Sequence, residues 1–181
     1  MRWERLFADL DARLEAEDEL ALGAEVADRT RRERAQLGLH ERLAAARQTR
    51  LTVTVAGLGQ VTGTVADVGA DWVLLRPAPE RGVLVPFAAV RGIAGLAGRV
   101  GPPSAVAKGF TLGAALRAIS RDRAVATLVT LEGQRLTGTI DAVGADALDL
   151  AEHPGDLPRR AEHVTAVITV PLAAVAAVLR E

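Results

Sequence analysis

Apolar and polar positions along this chain change period twice. Trp3, Phe7, Leu10 and Leu14 recur at alternating spacings of four and three, which places them on one stripe of a helix and predicts an amphipathic, coiled-coil-like helix or helical hairpin over residues 1–37. Gly38 interrupts that pattern, and Leu39 and Leu43 give a short amphipathic helix in LHERLAAARQ (39–48). LTVTV (51–55) then alternates apolar with polar residues, the period of a strand with one buried face.

From residue 51 onward the chain is organised by a repeat. TGTVADVGADWVLL (62–75) returns as TGTIDAVGADALDL (137–150) with eight of fourteen positions identical, and VPFAAV (85–90) returns as VPLAAV (170–175). Val61, Gly63 and Val65 match Leu136, Gly138 and Ile140 on second strands; Val73 and Leu75 match Leu148 and Leu150 as inward positions of third strands. GVLVP and AVITVP supply fourth strands, each closed by a proline that cannot donate to a ladder. AAVRGI and AAVAAVL are the fifth. The glycine- and proline-rich stretch over 97–109 reads as a linker, and TLGAALRAIS (111–120) as the helix leading the second unit, with Leu112, Leu116 and Ile119 or Ala115 on its apolar face. The units are thus 38–96 and 110–181, the second carrying an insertion, EHPGDLPRRAEH, between its third and fourth strands. A hairpin loop tolerates such an insertion because closure entropy grows slowly with length.

Composition narrows the functional classes. The chain has 49% hydrophobic and 25% charged residues, no run of apolar residues long enough to span a bilayer, and acidic residues near its start where a signal peptide needs an apolar core. A cytoplasmic globular protein is expected. Cysteine is absent, which excludes disulfides and thiolate chemistry, and the net charge of -1 argues against strong nonspecific attraction to nucleic acid or anionic membrane.

Five short strands behind a helix, with a glycine in the second strand, resemble the Sm-like (LSm, Hfq-type) family. VTGTVADVGADWVLL is similar to its first signature through Gly63, Val65, Val68 and Leu75, and Val90–Ile93 (VRGI) to a step of its second. The resemblance implies a mainly β chain in which a long N-terminal helix or helical hairpin precedes two tandem five-stranded Sm-like (SH3-like) β-barrels, each with a short leading helix. Closure removes exposed edges, and glycine allows the bend that closure needs. The resemblance also implies single-stranded RNA binding and assembly through edge strands, so three chains would give six barrels. The pocket residues match only in part: Gly69 stands where the eukaryotic and archaeal pocket has an aspartate, asparagine is absent, and Arg91 and Gly92 survive only in the first unit, with Ala176 and Ala177 in the second.

Two readings of function remain open. The first is an RNA-binding adaptor using Arg91 and Gly92, with Arg50, Arg76 and Arg99 as phosphate contacts. The second is a protein-interaction or assembly scaffold that does not bind nucleic acid. It rests on Trp72 and Leu74, an apolar outer pair replaced by Ala147 and Asp149 in the second unit, and on the helix of Trp3, Phe7, Leu10 and Leu14. Trp72 could equally be covered within its own chain. The acidic block Glu15, Glu17, Asp18, Glu19 and the basic block Arg29, Arg31, Arg32, Arg34 would pair across a dimer or hairpin, or remain a solvated face.

No chemistry of an enzyme is legible. Ser104 and Ser120 lack a nucleophile context, GLGQVTG (57–63) precedes a strand rather than a helix, and Asp67, Asp71, Asp141 and Asp146 are accounted for by turns. His153 and His163 flank the insertion with Glu152 and Glu162 but have no metal-ligand spacing, and His40 reads as a surface or cap residue. Catalytic residues, metal and cofactor are therefore not expected, and a homo-oligomer is.

Overall fold

The structure is a computed structural model that describes residues 38–96 and 109–180. The helix expected over 1–37, with Trp3, Phe7, Leu10 and Leu14, lies outside the described residues, as do Arg99 and most of the linker. In chain order the elements are α1 (Leu39–Ala45), β1 (Arg50–Val55), β2 (Gly59–Val68), β3 (Trp72–Ala78), β4 (Arg81–Pro86), β5 (Val90–Ala94), α2 (Leu112–Arg121), β6 (Val125–Thr130), β7 (Arg135–Val143), β8 (Ala147–Glu152), β9 (Ala166–Pro171) and β10 (Val175–Arg180). Single 3-10 turns, Phe87–Ala89 and Leu172–Ala174, link the fourth and fifth strands of each half.

Two separate five-stranded barrels do not form. All ten strands belong to one antiparallel sheet in the order β5-β1-β2-β3-β4-β10-β6-β7-β8-β9, within one compact unit, Leu39–Glu181. The edge of β4 is not satisfied by its own β5. It pairs instead with β10, placing Leu84 opposite Val178, Val83 opposite Leu179 and Gly82 opposite Arg180. The sheet therefore closes its middle edges against each other and leaves β5 and β9 as its ends.

The two halves bury opposite faces of this sheet. Residues paired across a ladder share a face, so Val73, Val85, Leu75, Val83 and Leu179 lie on one side with the first core, which Leu43 of α1 also enters. Trp72, Leu74, Leu84, Val178, Leu128 and Leu136 lie on the other side with the second core, covered by Leu112 and Leu116 of α2. Strands β4 and β10 stand between the cores. This is why Val83–Pro86 and Val175–Val178 are buried at successive positions rather than alternately. Leu75 and Leu150, fully buried at equivalent positions, are each worth roughly 1.5–3 kcal/mol of transfer free energy.

The repeat is kept in backbone detail. Bulges fall between Val65 and Asp67 in β2 and between Ile140 and Ala142 in β7, bending each half around its own core. Gln48 and Arg123 end the two leading helices with φ of 64° and 53°, the left-handed conformation that reverses the chain into the first strand. Gly63 and Gly138 have a different requirement: a Cβ on Gly63 would come within 2.9 Å of the Arg76 carbonyl oxygen, and one on Gly138 within 3.0 Å of Glu152 Cα. Close approach of the neighbouring strand, rather than an unusual φ, fixes glycine there.

Candidate functional site

The first half offers its outer flank to the second. The Trp72 indole N–H donates to the Phe110 carbonyl at 3.0 Å, the Ala70 amide donates to the same oxygen at 2.8 Å, and Asp71 Oδ1 accepts from the Leu112 amide at 2.7 Å. Asp71 thereby caps α2, whose own Thr111 makes no side-chain cap. Turn chemistry alone does not describe this aspartate. Trp72 is only 7% exposed and packs in the second core, so the chain itself covers it and it offers no free docking face.

Beside this joint, between the outer face of β3–β4 and α2, lies a groove of about 1130 Å³. Leu74, Leu84 and Val178 line it from the sheet and Ala115, Ala118 and Ile119 from α2; Phe110, 55% exposed, stands among its lining residues. Its charged lining divides into paired and unpaired groups. Arg47 pairs with Asp67, Arg180 with Asp122 at 3.2 Å, and Asp141 with both Arg123 at 3.2 Å and Arg159 at 2.6 Å. The hydrogen bond and charge of Asp141 hold the Arg159 guanidinium above its ordinary pKa. Arg76, Arg117 and Arg121 also line the groove, and none of them has an ion-pair partner among the described residues.

The nominated RNA contacts do not converge on one pocket. Arg91 is exposed on the edge strand β5 and donates to the Ala88 carbonyl at 2.8 Å; Gly92 is exposed opposite Thr54. Arg50 lies four residues from Thr54 along β1, ~13 Å away at strand rise. Arg50 opposes Thr64, which opposes Arg76, so these three form a lateral row on the solvent face of the first half. Leu74 faces the groove rather than bulk solvent. Phe87 is half-buried against the first core.

The histidines take structural roles. His153 is 2% exposed, accepts from or donates to Thr139 Oγ1 at 2.9 Å through Nε2, and donates from Nδ1 to the Pro154 carbonyl, fastening the start of the inserted loop to β7. His163 Nδ1 donates to the Pro158 carbonyl, and His40 Nδ1 donates to the Gly69 carbonyl at 2.8 Å while its Nε2 is buried with no hydrogen-bond partner among the described residues. Among the described residues no group of three or more His, Cys, Asp or Glu side chains could hold a metal ion, and no helix is long and apolar enough to cross a membrane.

Arg117 and Arg121 were not singled out from the sequence, although their i, i+4 spacing within a predicted helix places both on one face. No protein-family model matches the chain, and no curated protein is significantly similar to it.

Proposed function

We propose that this protein is an assembly scaffold whose copies join end to end by strand addition, β9 of one copy pairing antiparallel with β5 of the next. The observation that carries this is the β4–β10 junction, where the fourth strand of one repeat already pairs with the fifth strand of the other. The repeat equivalents of those strands are β9 and β5, the two ends of the sheet. Aligning VPFAAV with VPLAAV carries the internal register over: Ile93 would oppose Thr169, Ala94 would oppose Ile168 and Gly95 would oppose Val167.

β9 has the composition of a buried central strand in an end position. AVITVP contains no charged residue, yet Val167 is 61% exposed. Edge strands that are not meant to pair are commonly blunted by charge, which β9 lacks. The Sm-like resemblance, in which assembly proceeds through edge strands, supports the same reading. The joint between copies is weaker than the internal one, because Thr169 and Asp149, hydrogen-bonded at 2.6 Å, replace the apolar Leu84 and Leu74 beside it. Assembly is accordingly reversible and concentration-dependent.

Light scattering on the eluting protein across micromolar concentrations tests this. The native chain forms oligomers, and Val167→Lys weakens association at least tenfold, about 1.4 kcal/mol, with an unchanged circular dichroism spectrum. A native chain that stays monomeric throughout would overturn the proposal.

A second reading, binding of single-stranded RNA, is favoured by the Arg50–Thr64–Arg76 row, which sets the backbones of two exposed arginines about 10 Å apart on a polar face. Affinity for short U-rich or A-rich RNA that falls with salt and with Arg50→Ala plus Arg76→Ala would support it. Salt-independent or absent binding removes it.

A further inference from the structure

We propose that the groove between β3–β4 and α2 is a binding site for an anionic amphiphile, a hydrocarbon chain ending in a carboxylate or phosphate. The inference stands on the groove alone and holds whether or not the protein assembles through its sheet edges.

Two features of the groove require two features of the ligand. Protein interiors are packed to crystal density, and apolar surfaces that face each other normally close the space between them. Here Ala115 and the exposed Ala118 of α2 and Leu74 and Leu84 of the sheet line an open groove of about 1130 Å³, the order of size of small-molecule sites. Leu74 and Ile119, half-buried, and Phe110, 55% exposed, offer apolar lining that a hydrocarbon chain would cover favourably. A purely apolar ligand would meet the wrong rim. It would bring hydrocarbon over Arg76, Arg117 and Arg121 and desolvate guanidinium groups that have no ion-pair partner among the described residues. A bare anion would satisfy those arginines but leave Leu74, Ile119 and Phe110 in contact with water.

Charge complementarity settles the sign of the head group. Asp67 and Asp141 are already engaged by arginines, and Arg180 is engaged by Asp122. Glu80 is the acidic lining residue outside these pairs, set against Arg76, Arg117 and Arg121, which have no ion pair among the described residues. Arginine forks accept carboxylate or phosphate in charge-assisted hydrogen bonds, so either head fits and the tail is common to both.

Trp72 lines the groove and reports its occupancy. The chain has two tryptophans, so a Trp3→Phe background leaves Trp72 as the sole emitter. Dodecanoate and dodecyl phosphate, titrated below their micelle concentrations, would each be compared with dodecanol and with inorganic phosphate. Saturable change in Trp72 emission is expected with at least one of the charged amphiphiles, and which of them binds identifies the head group. Dodecanol should bind at least ~10-fold more weakly, the expected loss also for the combined Arg76→Ala, Arg117→Ala and Arg121→Ala variant. Ala118→Phe, which narrows the groove from an exposed helix position, should weaken the amphiphiles while leaving the melting temperature in place. No saturable change with either charged amphiphile, equal affinity for dodecanol, or inorganic phosphate binding as tightly as dodecyl phosphate would each overturn the assignment.

Discussion

The two halves of the sheet share a backbone plan and differ in what they do with their outer flanks. In the first half the flank carries Trp72, Leu74 and Leu84, and it is built into the second core beneath α2. In the second half the equivalent positions are Ala147, Asp149 and Thr169, and the Asp149–Thr169 hydrogen bond makes the flank polar. The adjoining turn differs in the same direction: Val68 and Gly69 are buried, whereas Val143 is half-buried and Gly144 exposed. One module has become a joint and the other an end, through substitutions at a few outward positions while the inward ones, Val73 with Leu148 and Leu75 with Leu150, remain interchangeable apolar residues.

The comparison can be broken most forcefully at its largest side chain. Trp72→Ala should cost about 3–5 kcal/mol in guanidinium denaturation, since it opens a cavity in the second core and removes one of the two hydrogen bonds to the Phe110 carbonyl. Ala147→Trp, the reciprocal change, should shift stability by less than about 1 kcal/mol because no helix among the described residues covers its flank. Similar losses at both positions would show that the second flank is packed like the first. A smaller effect sharpens the contrast at the neighbouring aspartates. Asp71→Ala removes the cap of α2 and should cost about 1 kcal/mol, whereas Asp146→Ala, exposed and without a side-chain hydrogen bond among the described residues, should stay within about 0.5 kcal/mol of the native chain. Equal losses in the same denaturation experiment would mean that the Asp71 cap does not hold the joint.

Much of this comparison was legible in the sequence. The repeat fixed the equivalences, and alternation in LTVTV identified one buried face of β1, where Leu51, Val53 and Val55 are inward. A further signal went unused: GVLVP and AAVAAVL are runs of apolar residues without alternation, the pattern of strands buried on both faces. Strands β4 and β10 are of that kind, and they meet. Trp72 was legible as an outward apolar residue, but its neighbour was not, because the Phe110 carbonyl that receives its indole N–H lies 38 positions further along the chain.

Local pattern determined for this protein where strands run and which positions of β1 and β3, among them Leu51, Val53, Val73 and Leu75, turn to the first core. Those properties follow from the two-residue period, which is written in the order of residues. Tertiary structure alone decided that β4 takes β10 rather than β5, that the two cores lie on opposite faces of one sheet, and that Arg76 shares a groove with Arg117 and Arg121. Backbone hydrogen bonds between strands are the same for every sequence, so the choice among available edges is made by the side chains that become buried when a pair forms, and those come from distant parts of the chain.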